Sequence, residues 1–328
     1  MVYLALDFGG SSVKYALVSN QAEILWSEKK IVSFQETEDF AEFVANIYKN
    51  IHEPVSGIAI SIPGIIDYKT GFHNGSGAYA QILKGKNIIS LLKNRCNTNI
   101  SVENDGKWGA LSEAWNGALE DVFSGAVIIL GTGIGGGLVY DKRILHGLNY
   151  GAGEFSYIIS ENKGYSLMSE AFMHASAFGM TYKACKRKNL DFRAQENPAL
   201  LERFDRLLAP YFQKPLGEPA FVRADGKQIM EWVREGDPDS VQIYKDLIHA
   251  LSVVIMNVQA VFAPERFVIG GGLSRIDLLI SDVQNELSEV YRGGLVPESL
   301  HSTVVRSKYL DECNLLGATF HHIQQYGG

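Results

Sequence analysis

Twice in this chain a short apolar run, a glycine-rich turn and a second apolar run follow one another, first at residue 2 and again near residue 126. Val2 to Leu6 reads as a buried strand, Asp7-Phe8-Gly9-Gly10-Ser11-Ser12 as a turn and Val13 to Val18 as the returning strand, since apolar runs bounded by Gly and Ser signal hairpins. Ala126 to Leu130, Gly131 to Gly137 and Leu138 to Tyr140 repeat the plan. A third turn, Gly270-Gly271-Gly272-Leu273-Ser274, closes the run Phe267 to Ile269. Such turns present successive backbone N–H groups with no side chain in the way, and glycine permits φ > 0, so each can form an anion nest. A tight hairpin without a ligand is the alternative for any single turn. Three in one chain, each after an apolar strand, favour phosphate.

The remaining pattern alternates strand and helix. Ala22 to Lys29 reads as a third antiparallel strand. Phe40, Phe43, Val44, Ile47, Tyr48 and Ile51 form a helical stripe. Gly57 to Ile62 is a short strand closed by Pro63-Gly64, and Ile100 to Val102 is another. Glu103-Asn104-Asp105 reads as a loop and Gly106 to Trp115 as a helix. Residues 167 to 262 read as largely helical, around a polar Pro-containing stretch at 191 to 222 that the pattern does not place. Two similar α/β halves follow, and 328 residues agree with about two domains.

Several chemistries are excluded. Gly131-x-Gly133-x-x-Gly136 spells the dinucleotide fingerprint, but a strand follows where that fingerprint requires a helix, which argues against NAD or FAD. The P-loop pattern, GxxxxGK followed by Ser or Thr, is absent. The net charge of -7, 30 Lys+Arg against 37 Asp+Glu with no run of five like charges, argues against a nucleic-acid partner but not against a nucleotide substrate. Cys96, Cys185 and Cys313 are too far apart for a disulfide framework and lack CxxC pairs, so they read as reduced thiols of a cytoplasmic protein. Asp7 interrupts the apolar start, so no signal peptide is expected. Val122 to Tyr140 is broken by glycines, and Leu247 to Pro264 carries a polar face of His249, Ser252, Asn257 and Gln259, so no membrane span is expected.

Three carboxylates stand out. Asp7, beside the first nest, either satisfies turn N–H groups or faces a phosphate across Mg²⁺. Asp105, before a helix, is either its N-cap or a general base for a hydroxyl attacking a γ-phosphate, with Asn104 beside it for an adjacent hydroxyl. Glu154, among the small residues of Gly151-Ala152-Gly153-Glu154-Phe155-Ser156-Tyr157, is either solvated or a bidentate acceptor for vicinal sugar hydroxyls.

The set resembles the ROK family of sugar kinases and repressors. Asp7 to Lys14 is similar to its first phosphate motif, and Ser61-Ile62-Pro63-Gly64 to its sugar-side segment. Glu103 to Leu111 is similar to its catalytic Asn-Asp segment, Gly131 to Gly137 to its second phosphate motif, and Asn257 through Pro264-Glu265 to Leu273 to its adenosine segment. The resemblance implies an α/β fold with two RNase H-like (actin-like ATPase) domains flanking a cleft, residues 1–115 with 312–328 and residues 116–311. It implies a cytoplasmic, ATP- and Mg²⁺-dependent enzyme, commonly a homodimer, that phosphorylates a primary (6-) hydroxyl of a hexose or hexosyl compound. Asp105 then matches the catalytic base. Pro63, Gly64, Asn104, Glu154, Tyr157 and Glu170 match sugar contacts. Asp7, Gly9, Gly10, Ser11, Ser12, Lys14, Gly131, Thr132, Gly133, Gly270, Gly271 and Leu273 match the nucleotide side, with Asp7 reaching Mg²⁺ through water.

Many family members carry a His three residues after the Glu154 position and a cysteine cluster beyond it, which bind zinc. Here Tyr157 stands in that place and Gly164 to Met168 holds no cysteine, so zinc is not expected. Glu170 is only a loose match to a later sugar-contacting Glu. The zinc-less pattern resembles the branch of β-glucoside and N-acetylmannosamine kinases. A repressor of the family carries a helix-turn-helix domain before the first motif, and only six residues precede Asp7. A catalytically silent sugar or nucleotide sensor of the same family is the alternative reading.

Overall fold

The structure, a computed structural model, describes residues 1–9, 12–75, 77–148, 151–161, 164–189, 226–294, 296–310 and 312–327. The segment 191–222 therefore lies outside the described residues. Contacts divide the chain into two compact units, Met1–Val127 with Gly136–Gly153 and Ser307–Gly328, and Ile128–Gly135 with Glu154–Arg306.

The first sheet contains β1 (Val2–Phe8), β2 (Ser12–Ser19), β3 (Ile24–Ile31), β4 (Ile58–Ile62) and β7 (Ile100–Asn104), in the order β3-β2-β1-β4-β7. β1 to β3 are antiparallel, whereas β4 and β7 run parallel to β1. A small ribbon, β5 (Ile66–Asp67) and β6 (Phe72–His73), follows β4. The second sheet contains β8 (Ser124–Leu130), β9 (Ile134–Tyr140), β10 (Arg143–Ile144), β11 (Arg266–Gly270) and β12 (Thr303–Arg306), in the order β10-β9-β8-β11-β12. Third, second and first strand, then fourth and fifth, is the same order as in the first sheet, so the repeat visible in the sequence is a repeat of topology.

Side-chain alternation sorts the first sheet. Leu4, Leu6 and Phe8 face one side, where Phe40, Val44 and Ile47 of α1 (Thr37–Asn50) complete the core. Short helices α2 (Ala80–Leu83) and α3 (Ile88–Lys93) bury Leu83, Ile88 and Leu92 in the same core. The odd positions face the other way. There α10 (Cys313–Tyr326) lays Leu315 and Leu316 on Ala5, Ala16 and Val18, and Ala318 packs with Ala59 and Trp108. Alanines on that face keep the surface shallow enough for the helix to come close. α4 (Asp105–Asn116) follows β7 and packs beside α10.

Two expectations are corrected. Glu103 and Asn104 belong to β7 and Asp105 opens α4, so no loop separates them; β-strand pairing with Ser61 and Ile62 carries the strand to its end. The second glycine turn spans only residues 131–133, because Gly135, Gly136 and Gly137 belong to β9. At Gly136 and Gly137 the bare backbone serves packing against α4. A Cβ on Gly106 would stand 2.6 Å from the Gly136 backbone N, and one on Gly137 2.7 Å from Ala110 Cβ.

In the second unit, α5 (Ala171–His174), α6 (Ala177–Lys188), α7 (Gly226–Arg234), α8 (Pro238–Phe262) and α9 (Leu279–Arg292) accompany β11 and β12. α8 starts with Pro238 at its first turn and Asp237 as its cap, accepting from the Ser240 amide at 2.9 Å. α8 is long and apolar enough to cross a membrane by composition, with a mean hydropathy of 1.3. Half of that stretch is buried, and it packs against α6, α7 and α9 as a core helix does.

Candidate functional site

The parallel strands β1, β4 and β7 end side by side, and their register aligns Asp7 with Ser61 and Ser61 with Glu103. Ligand sites of open α/β sheets sit at such carboxyl ends. Asp7 Oδ1 accepts hydrogen bonds from Ser61 Oγ at 2.8 Å and from Asn314 Nδ2 at 3.0 Å. Burial pushes the Asp7 carboxyl up, and the two hydrogen bonds and the Lys14 and Lys29 charges pull it back. Lys14 Nζ lies 3.4 Å from Glu312 Oε1. Tyr79 donates to the Gly9 carbonyl at 2.6 Å, which ties down the start of the first turn. Burial, with the Asp7 charge adding to it, pushes the Tyr79 hydroxyl up to about 12, so it remains a donor. Ser12 opens β2 and its carbonyl accepts from the Gly9 amide at 2.9 Å. Gly10 and Ser11 lie outside the described residues.

At the end of β7 the helix cap is Asn104, not Asp105. Asn104 Oδ1 accepts from the Gly106 amide at 2.9 Å and its Nδ2 donates to the Gly64 carbonyl at 2.8 Å. One side chain thus holds the Asn-Asp segment and Pro63-Gly64 together. Asp105 is the first residue of α4 and its Oδ1 also accepts from the Gly106 amide, at 2.9 Å. That places its carboxylate at a helix N-terminus, where negative charge is favoured. Behind Pro63, the fully buried His73 accepts from the Gly75 amide at Nδ1, so its proton sits on Nε2, 3.3 Å from the Pro63 carbonyl. Burial holds its imidazole below the usual histidine range, which preserves that neutral form.

Sequence reasoning missed Glu103 and His146. Glu103 is 1% exposed; Oε1 accepts its neighbour Asn104's amide at 2.7 Å and Oε2 lies 2.8 Å from His146 Nε2. The His146 ring stacks on Tyr68 at 4.1 Å. Glu103 was legible as part of a motif, but no pattern in the sequence pairs it with a residue 43 positions away.

In the second unit, the Gly131–Gly133 turn follows β8. The Gly131 carbonyl accepts from the Ala177 amide and the Thr132 carbonyl from the Phe178 amide, so the start of α6 pins it. Gly271 follows Gly270 at the end of β11 with φ +82°, and a Cβ there would stand 2.5 Å from the Leu130 carbonyl oxygen. The structure thus brings two of the three glycine turns together at one edge. Leu273 is buried beneath the second of them. Glu154 caps a single 3-10 turn, Phe155–Tyr157, whose Tyr157 is 56% exposed. Glu170 precedes α5, and burial raises its carboxyl. His174 holds the segment between them, with Nε2 2.7 Å from the Met168 carbonyl and Nδ1 3.2 Å from Glu161.

Asp7 offers a hard oxygen to a cation. Its Oδ1 is taken by two neutral donors, and among the described residues Oδ2 accepts no hydrogen bond. That fits Mg²⁺ held through water. Among the described residues no three His, Cys, Asp or Glu side chains gather into a cage, so a metal here would keep its own waters or share phosphate oxygens.

The ROK family model matches residues 3–324. The N-acetyl-D-glucosamine kinase of Vibrio cholerae serotype O1 is 27% identical over 340 residues, covering 98% of this chain and 100% of that protein. The beta-glucoside kinase of Listeria innocua serovar 6a is 25% identical over 327 residues, covering 99% and 98%. Among solved structures, a ROK family glucokinase from Streptomyces griseus in complex with glucose and AMPPNP superposes with a TM-score of 0.76 at 21% identity, over 99% of this chain and 100% of that one.

Proposed function

This chain belongs to the ROK family, and on that premise we propose that it is an ATP-dependent sugar kinase, transferring the γ-phosphoryl group to a primary 6-hydroxyl of a hexose or hexosyl compound with Asp105 as general base. The observation that carries the reading is the shared strand end: β1, β4 and β7 finish side by side and bring Asp7, Pro63-Gly64, Asn104 and Asp105 to the same end of one sheet. Asp105 accepts the proton as the hydroxyl attacks, from a position at a helix N-terminus that favours its charged form. Asn104 holds the Pro63-Gly64 segment against that base through the Gly64 carbonyl. Pro63, Gly64, Asn104, Glu154, Tyr157 and Glu170 form the sugar side of this reading.

The nucleotide side comprises the turns at residues 7–12, 131–133 and 270–273, whose backbone amides receive phosphate. Mg²⁺, when bound beside Asp7, supplies positive charge to the phosphates. The same reading makes the protein a cytoplasmic homodimer acting on a small-molecule sugar. The kinases it resembles over nearly their whole length act on N-acetylglucosamine and β-glucosides, so those sugars lead the acceptor panel.

The test is ADP release with ATP and Mg²⁺ over glucose, fructose, mannose, N-acetylmannosamine, N-acetylglucosamine, cellobiose and gentiobiose, with Asp105→Asn alongside. Turnover on one sugar that vanishes in the variant is the expected result. Full phosphotransfer by Asp105→Asn would remove the base from the reading. Silence on every sugar with ATP still bound would favour a sensor.

A further inference from the structure

Asp7 and the start of α10 are 307 positions apart in sequence and meet through one hydrogen bond. Alternation along β1 turns Tyr3, Ala5 and Asp7 toward α10, and the register with β4 puts Ser61 next to Asp7 on the same face. Both donors, Ser61 Oγ and Asn314 Nδ2, go to the same carboxylate oxygen. Neither carries charge, so they orient Asp7 without neutralising it.

The orientation of the Asn314 amide is itself specified. Cys313 Sγ lies 3.6 Å from Asn314 Oδ1, within reach of a thiol donor, which leaves Nδ2 for Asp7. Burial, together with the Asp7, Glu113 and Asp105 charges, pushes the Cys313 thiol far up, so it stays an S–H donor. The chain Cys313, Asn314, Asp7 therefore runs in one direction, donor to acceptor.

We propose that Asn314, with Ser61, is a positioning residue for the nucleotide's magnesium: the two hold Oδ1 of Asp7 so that Oδ2 is left for water of the metal's shell. The proposal rests on the kinase reading of Asp7 given above. Groups that orient a ligand to a metal from behind commonly change metal affinity by about tenfold or more when removed.

The experiment is calorimetric binding of ADP to the full-length protein with and without Mg²⁺, which needs no turnover. The quantity read is the factor by which Mg²⁺ strengthens ADP binding. Asn314→Leu is expected to reduce that factor about tenfold while metal-free ADP affinity stays within about twofold. Ser61→Ala, a small deletion on a strand, is expected to move the same factor in the same direction, and Asn314→Ser, which keeps a donor, to lose less than Asn314→Leu. Asp7→Asn separates the two levels. If it leaves the factor intact, Asp7 is not the metal-side carboxylate and the underlying reading fails. If Asp7→Asn abolishes the factor but Asn314→Leu and Ser61→Ala leave it unchanged, the positioning proposal is overturned. Equal loss of ADP binding with and without Mg²⁺ in both donor variants would also overturn it, because a merely structural role predicts that.

Discussion

Acid should loosen the C-terminal helix before it touches most of the protein, because two neighbouring histidines there are held neutral by burial. His322 is 1% exposed with Nδ1 2.9 Å from Ser101 Oγ, and His321 packs its ring 4.6 Å from that of Trp108. Burial lowers both imidazoles from 6.5 to about 4, and for His321 the neighbouring His146 and His322 charges add to it. In the unfolded chain both titrate near 6.5. Between these values the unfolded state binds more protons, so stability is fully present above about pH 6.5 and is lost as pH falls toward 4. At about 1.4 kcal/mol per pH unit, each histidine would withdraw roughly 2 kcal/mol by pH 5 and roughly 3 kcal/mol by pH 4. Two such terms are a large part of the ~5–15 kcal/mol that holds a typical domain together.

The assay is urea unfolding at pH 7.5, 6 and 5 for the wild type, His321→Gln and His322→Gln. Each variant is expected to lose roughly 2 kcal/mol less than the wild type between pH 7.5 and 5. Equal losses in all three proteins, or an NMR titration of either ring above pH 6 in the folded protein, would refute the reasoning.

Two further substitutions test the packing of the site. Gly317→Ala would set a Cβ 1.9 Å from the Trp108 carbonyl oxygen, where α10 meets the backbone of α4, and should cost about 1–3 kcal/mol or more in thermal or urea unfolding; an unchanged melting temperature would contradict that contact. Gly271→Ala puts a side chain at φ +82° and 2.5 Å from the Leu130 carbonyl oxygen, so ATP affinity should fall by an order of magnitude or more when read by calorimetry, with sugar affinity held. A fall in sugar affinity alone would place that turn on the other substrate.

What the chain's local chemistry determined is the run of elements and the residues at their ends. Glycines after apolar strands marked the turns, the spacing of Phe40, Val44 and Ile47 marked α1, and the repeated hairpin matches two sheets of identical strand order. These are short-range properties, because torsional preference and side-chain periodicity act over a few residues. Where local patterns competed, the boundary was misplaced. β7 runs two residues further than its apolar core, because pairing with β4 extends through Glu103 and Asn104. Gly135 to Gly137 look like a turn but lie in a strand, where the bare backbone of Gly136 and Gly137 admits the first turns of α4.

The partners of the functional groups were decided only by the tertiary structure. Asn314 reaches Asp7, His146 reaches Glu103, and Asn104 reaches Gly64 because β1, β4 and β7 lie parallel and α10 covers their alanine face. Each of these hydrogen bonds closes a loop of tens to hundreds of residues, and its geometry is set by packing summed over the whole sheet. No residue type or spacing near Asp7 carries that information, whereas the need for a carboxylate at the end of a buried strand was written in the first seven residues.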